Sequence, residues 1–377
     1  MVFMRNGGKK YVVFLMYICQ QAQAGRPMDN HGEVCPAFVF SKTKIAYMKK
    51  KNIALVAGGD SGEYVISVAS ARMIRENIDP ERYTVYLIMI RQRKWVYVGE
   101  KGQEVPVDKN DFSVLVDGQK ILFDCVFITI HGTPGEDGKL QAYFELLGIP
   151  YTTAGVLASA LTFNKHYCNM VVAHLGFPVP ASVRLKTPAN LDVEKIIQQV
   201  KLPVFVKPNE GGSSIGMSMV KDKDALLPAI EAAFEQDKQV LIEEYLQGTE
   251  LTCGVFRYRD KVTALPVTEI ISKTKAAFFD FEAKYTPGAA DEITPARISP
   301  ALTKMVREHS AILYDKLGMS GLVRFDFIHC NNTLYFLEVN VTPGMTETSI
   351  VPQQAAVENI SSMELFSMLI EEALSGR

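Results

Sequence analysis

The sequence predicts an α/β chain, an open parallel-sheet domain followed by two α+β units, and three observations predict it. Short apolar runs end in glycine, as buried parallel strands do where they enter a turn. Helical patterns alternate with these runs in a βαβ rhythm up to about residue 150. Beyond that point short strands and helices cluster into compact α+β groups. With 377 residues, 47% of them hydrophobic and 22% charged, the chain can fill two or three domains of roughly 100–200 residues.

The elements follow in order. Ile53-Ala54-Leu55-Val56-Ala57 runs into Gly58-Gly59 and reads as a buried parallel strand. A helix is predicted from Val65 to Glu76, ending before Asp79-Pro80. Tyr83 to Ile90 is the next strand, Lys94 to Val98 and Lys120 to Phe123 flank it, and Val126 to Ile130 leads into a glycine-rich loop. One long helix is predicted from Leu157 to His174, stopped by Gly176 and Pro178. Strands at Pro203–Pro208, Met217–Val220 and Val240–Glu244 with a helix at Ala225–Phe234 form the first α+β unit. Strands at Leu251–Tyr258, Lys261–Glu269, Gly321–His329 and Thr333–Val339, with helices at Pro300–Leu317 and Met363–Leu374, form the second. Between Ile270 and Pro295 the pattern is irregular and carries Lys and aromatic residues, the mark of a long functional loop.

Composition narrows the function. A formal net charge of -2 gives no basic excess for nucleic acid. The six cysteines contain no CxxC pair and the six histidines no zinc spacing, so reduced buried thiols in a cytoplasmic protein are expected. The first 47 residues resemble a signal peptide, with Lys9-Lys10, an apolar run and Ala22-Gln23-Ala24. That run falls short of the about 20 residues needed to span a bilayer. Met48-Lys49-Lys50-Lys51 has the form of a chain start directly before a strand, so residues 1–47 are expected to lie outside the fold.

No GxxxxGK[ST] and no strand-linked GxGxxG occurs, so a nucleotide site must be built another way. Gly211-Gly212-Ser213-Ser214-Ile215-Gly216 lies between two strands, where backbone N–H groups can cover phosphate oxygens; a merely flexible hairpin is the alternative. Lys207 ends the strand before it, and Glu243-Glu244 close another apolar strand. The sharpest pattern is Arg324-Phe325-Asp326 followed by Leu337-Glu338-Val339-Asn340. Residues two apart share a strand face. If these strands pair, two carboxylates, an amide and a guanidinium converge, and such oxygens suit Mg²⁺.

At this point the chain resembles the D-alanine–D-alanine ligase family of the ATP-grasp superfamily over residues 48–377. The resemblance rests on Gly58-Gly59-Asp60-Ser61-Gly62-Glu63 with Ser67, and on His131-Gly132-Thr133-Pro134-Gly135-Glu136-Asp137-Gly138. It also rests on Lys165, Lys207, Gly212 to Gly216, Glu282-Ala283-Lys284-Tyr285, Arg324-Phe325-Asp326 and the run from Glu338 to Thr346.

The resemblance implies an ATP-grasp fold: an N-terminal open parallel-sheet substrate domain (48–153), a central subdomain (154–243) and a C-terminal subdomain (244–377), the last two clasping ATP. It implies that Lys165 and Lys207 hold the α- and β-phosphates. Glu243 and the Tyr245-Leu246 backbone would read adenine, and Glu250 the ribose. Asp326, Glu338 and Asn340 would bind two Mg²⁺ or Mn²⁺ ions. Glu63, tied to Ser213 and Tyr285, would hold the first D-alanine's ammonium, and His131 would line the dipeptide site. Arg324 and the Gly344 amide would face the oxyanion, Ser349 would meet the second substrate's carboxylate, and Lys284 would close over the γ-phosphate.

The implied activity is the ATP-dependent joining of two D-alanines for peptidoglycan precursor synthesis, with no nucleic acid or membrane partner and with a homodimer permitted. The resemblance has two departures. Phe279 stands where many relatives carry tyrosine, and Asn209-Glu210-Gly211 differs from some relatives. Tyr285 favours a dipeptide over D-alanyl–D-lactate as product. Other carboxylate–amine ligases and a non-catalytic nucleotide-binding regulator are the competing readings. The Glu63 and His131 segments argue against the first, and the intact lysine, arginine and acidic set argues against the second.

Overall fold

The computed structural model describes residues 49–212, 214–273 and 290–376, together with the backbone of two strands nearer the N-terminus. The chain divides into two compact units, Met1–Tyr47 and Met48–Arg377. In the first, Val2–Asn6 and Lys9–Val13 pair as an antiparallel hairpin.

The second unit begins with a five-stranded sheet. Its strand order is Glu104–Pro106, Lys94–Val98, Tyr83–Arg91, Lys51–Gly58, Cys125–Ile128. Lys51–Gly58 sits inside it, parallel to both neighbours, and Ile53 to Ala57 are fully buried, as the continuous apolar run requires. The other two strands run antiparallel. Only Gln92-Arg93 separate Tyr83–Arg91 from the flanking strand Lys94–Val98, and so short a link allows only an antiparallel return. Gln119–Ile121, expected to flank this sheet, pairs instead with Val114–Val116 as a separate hairpin.

The long helix expected from Leu157 to His174 is two helices, Val156–Phe163 and Lys165–His174. Asn164 breaks it with an extended backbone, and its side chain accepts from the Tyr167 amide. The strand Ser182–Leu185 and the helices Lys139–Leu147, Val193–Val200 and Ile350–Val357 were not legible in the pattern. Each is short, and two of the helices start directly after irregular segments.

A four-stranded antiparallel sheet follows, ordered Ser182–Leu185, Val240–Glu244, Val204–Pro208, Ser218–Val220. Helices Val193–Val200 and Leu226–Phe234 share one apolar core with it. The last sheet is antiparallel, ordered Ala290–Ile293, Thr268–Ser272, Thr249–Tyr258, Leu322–Cys330, Thr333–Asn340, with Lys261–Ala264 also pairing to Thr249–Tyr258. The single strand expected over Lys261–Glu269 splits at Leu265-Pro266-Val267, where proline has no N–H for a ladder. Helix Pro300–Lys316 packs on this sheet through Val306, Leu313 and Tyr314. Cys125, Cys168, Cys253 and Cys330 are buried free thiols, while Cys19 and Cys35 lie outside the described residues. Among the described residues, no helix is long and apolar enough to cross a membrane.

Candidate active site

The hairpin Leu322–Cys330/Thr333–Asn340 aligns Asp326 with Glu338 and Arg324 with Asn340. Because residues two apart share a strand face, this register gathers four polar side chains on one surface. Arg324 grips Asp326 with two hydrogen bonds, from Nε at 2.9 Å and from Nη2 at 2.7 Å. The Thr252 hydroxyl, on the neighbouring strand, also donates to Asp326 Oδ1. Asn340 Oδ1 accepts from the Thr342 amide at 2.9 Å. Burial works against the Arg324 charge, but Asp326, Glu338 and Glu292 outweigh it and push its pKa up.

The break at Asn164 makes Lys165 the first residue of a helix. Asn164 Nδ2 donates to Glu210 Oε1 at 2.8 Å, and the Lys165 amide donates to Asn209 O at 3.1 Å. Asn209-Glu210, one of the two departures from family pattern, therefore anchors the glycine-rich loop to this helix. Lys165 Nζ donates to Gly211 O at 2.7 Å and lies 3.3 Å from Glu338. Burial lowers the Lys165 pKa, but Glu338 more than restores it.

Lys207 Nζ meets Glu243 Oε2 at 2.6 Å, and Asn169 Nδ2 donates to Glu243 Oε1 at 3.2 Å. The strands hold this pair by register, since Phe205 lies opposite Glu243 and Lys207 shares Phe205's face. Glu243, expected at an adenine edge, thus serves Lys207 and Asn169 here. The Tyr245 amide donates to Pro203 O at 3.1 Å, so the donor available to a purine at this turn is not that amide.

On the other side, Glu63 stands at the N-terminus of helix Tyr64–Asn77 and borders the groove. A Cβ at Gly212 would lie 2.5 Å from Glu63 Oε2, so the glycine-rich loop passes directly over this carboxylate. His131 is buried, and its Nε2 has no hydrogen-bond partner among the described residues. Burial, with Arg324, lowers its pKa against the pull of Glu63. Glu136, overlooked as a functional residue although it sits inside the His131 motif, accepts from the Gly132 amide at 2.7 Å and the Thr342 hydroxyl at 2.8 Å. Burial and the nearby Glu63 push its carboxyl up to about 7. Ser349 Oγ accepts from the Thr346 amide at 3.0 Å, and a Cβ at Gly344 would lie 2.9 Å from it.

These groups line two cavities. One, of about 580 Å³, is bordered by Lys207, Glu243, Tyr245, Leu246, Glu250 and Asp326. The other, of about 380 Å³, is bordered by Glu63, His131, Glu136, Glu292, Asn340, Gly344 and Ser349. Lys165, Gly211, Gly212, Arg324 and Glu338 border both, so the two cavities meet at a common wall. Ser213, Lys284 and Tyr285, and with them Phe279, lie outside the described residues. Thr252, Asn169 and Glu292 carried no sequence signal; only register and packing bring them here.

Two family models cover most of the chain: the D-ala D-ala ligase N-terminus matches residues 52–154 and the D-ala D-ala ligase C-terminus residues 171–371. The D-alanine--D-alanine ligase of Parabacteroides distasonis is 44% identical over 329 residues, covering 87% of this chain and 99% of the relative. That of Flavobacterium johnsoniae is 46% identical over 325 residues, covering 86% and 100%. Among solved structures, D-alanyl-alanine synthetase A from Vibrio cholerae superposes with a TM-score of 0.79 at 28% identity, over 87% of this chain and 99% of that one. The VanG D-Ala:D-Ser ligase from Enterococcus faecalis gives 0.75 at 33% identity, over 86% and 100%. With these matches spanning both halves of the fold, the chain has the ATP-grasp architecture and belongs to the D-alanine–D-alanine ligase family.

Proposed function

We propose that this protein is an ATP-dependent ligase that joins two D-alanines into D-alanyl-D-alanine for cell-wall precursor synthesis in the cytoplasm. The carrying observation is the wall shared by the two cavities. Because Lys165 borders both cavities, a phosphate held by it in one would lie next to a carboxylate held in the other. ATP occupies the larger cavity, with Lys165 and Lys207 on its phosphates, the Glu243–Leu246 turn at adenine and Glu250 at the ribose. The amino acids occupy the smaller one, where Glu63 takes the first ammonium and His131, Arg324, Gly344 and Ser349 surround the reacting groups. Ser213, Tyr285 and Lys284 lie outside the described residues, and the resemblance assigns the first two to the Glu63 carboxylate and Lys284 to the γ-phosphate. The division at 48–153, 154–243 and 244–377 assigns one substrate-side part and two nucleotide-side parts to these roles.

The chemistry follows from the poor reactivity of a carboxylate towards an amine. The first D-alanine's carboxylate oxygen attacks the γ-phosphorus and ADP leaves, giving an acyl phosphate. The second ammonium gives up a proton to water, the free amine attacks the carbonyl carbon, and the amide bond forms as the C–O bond to phosphate breaks and the nitrogen releases its second proton. Arg324 and the Gly344 amide stabilise the tetrahedral oxyanion, each donor worth about 3–4 kcal/mol by analogy with oxyanion holes. Positioning and charge neutralisation do the rest.

A divalent ion fits the residues present. Asp326, Glu338 and Asn340 offer only oxygen, the donor that Mg²⁺ and Mn²⁺ prefer. The Asn340 amide oxygen and phosphate oxygens of ATP would complete such a site. When bound, such ions neutralise charge on the transferring phosphoryl group. A homodimer is compatible with this scheme.

The test is phosphate release by purified protein with ATP, Mg²⁺ and D-alanine, against other amino acids and D-lactate. D-alanine-dependent release with dipeptide product is expected. Release with D-lactate alone as acceptor would overturn the dipeptide reading, and absence of any D-alanine dependence would overturn the ligase reading.

A further inference from the structure

Two amino acids bring two ammonium groups into the smaller cavity, and each needs a carboxylate. Four carboxylates line that cavity: Glu63, Glu136, Glu292 and Glu338. Glu338 faces Lys165 at 3.3 Å. Glu136 already accepts from the Gly132 amide and the Thr342 hydroxyl. Glu63 is the group proposed above for the first ammonium. Glu292 remains.

Its placement suits the task. On strand Ala290–Ile293, Asp291 turns outward to Lys273, so by the two-residue period Glu292 turns to the opposite face, into the cavity. It is half-buried, and among the described residues it has no hydrogen bond or ion pair. Burial raises its pKa above the ordinary value, and the Arg324 charge only partly offsets that. A carboxylate in that condition gains from an arriving cation. Arg324, in turn, would repel an ammonium in this cavity unless a carboxylate stood beside it.

We propose that Glu292 receives the ammonium of the second amino acid and so selects an amino acid over a hydroxy acid as acceptor. This rests on the ligase reading. A zwitterion enters with its carboxylate towards Ser349 and its ammonium towards Glu292, which orients the nitrogen before attack. Glu292 is therefore a specificity-determining residue of the acceptor site.

The experiment is steady-state kinetics of wild type and Glu292→Gln with ATP and D-alanine, with D-lactate offered as competing acceptor. The KM for the second D-alanine rises roughly ten-fold or more, as expected on losing a charge-assisted contact. The KM values for ATP and the first D-alanine stay within about two-fold, and the share of D-lactate in the product rises. Should Glu292→Gln fail to fold, Glu292→Asp keeps the charge on a shorter arm, and the same selective rise is expected at smaller size. An active wild type whose variant shows an unchanged second KM, or equal rises for both D-alanines, overturns this assignment alone. A wild type with no D-alanine-dependent turnover overturns the ligase reading and this assignment with it.

Discussion

In the larger cavity the buried cations already have carboxylates: Lys207 with Glu243, Lys165 with Glu338, Arg324 with Asp326. In the smaller cavity several polar groups stand in the opposite condition. His131 Nε2 lacks a partner, Glu136 is pushed up to about 7, and Glu292 sits half-buried without an ion pair, all among the described residues. The difference follows from what each cavity is proposed to hold. A nucleotide brings several negative charges and can take lysines from their carboxylates, so internal pairs keep those lysines placed and charged while ATP is away. A zwitterion brings one charge of each sign, and Glu292 is the carboxylate proposed above to meet the positive one.

The sharpest way to break this contrast is Glu338→Ala, because Glu338 belongs to both cavities. It removes an oxygen donor and the Lys165 counter-ion together, and D-alanine-dependent phosphate release should fall on the order of a thousand-fold. Activity within ten-fold of wild type would show that the shared wall does not carry the chemistry. Glu243→Ala converts one paired lysine into an unpaired buried charge. A loss of roughly 3 kcal/mol in urea unfolding is expected, with a higher KM for ATP and little change for D-alanine.

Gly212→Ala probes where the cavities touch. The new Cβ would crowd Glu63 Oε2, so the KM for the first D-alanine should rise by about ten-fold while ATP binding changes less. Equal effects on both substrates would mean that the loop simply fails to close.

Glu136 gives the contrast a pH signature. Its carboxyl titrates near 4.5 when unfolded and near about 7 when folded. Between those values the unfolded chain loses the proton that the folded chain keeps, so this group lowers stability as pH rises through that window and is level above it. Glu136→Gln, which resembles the protonated form, should gain on wild type across that window in unfolding measurements at several pH values. A constant difference would place the titration elsewhere. The smallest effect is expected from Asn164→Ala, about 1 kcal/mol for the lost helix cap, accompanied by a modest rise in the KM for ATP as Lys165 and the loop loosen.

Several features were legible from residue order alone. The apolar run Ile53–Ala57 could only be an interior strand, and the alternation Arg324/Asp326 and Glu338/Asn340 announced a polar face on apolar strands. The family motifs reached across nearly the whole second unit. Helix termination at residue 164 was not legible, because Asn164 leaves the helix to bind Glu210, 46 positions away. Glu243 was read from its place at a strand end, yet the structure makes it the partner of Lys207 across the sheet.

What residue order determined, then, was local: which segments are strands or helices, which faces are apolar, and which side chains are chemically able to hold phosphate, metal or ammonium. Periodicity and turn chemistry act over a few residues and leave their mark there. Which acid meets which base, how far a carboxyl shifts, and which carboxylate is left facing an open cavity were decided only by tertiary structure. Those depend on register, burial and distances between segments more than a hundred residues apart, as where Thr342 meets Glu136, and short-range patterns contain no measure of that proximity.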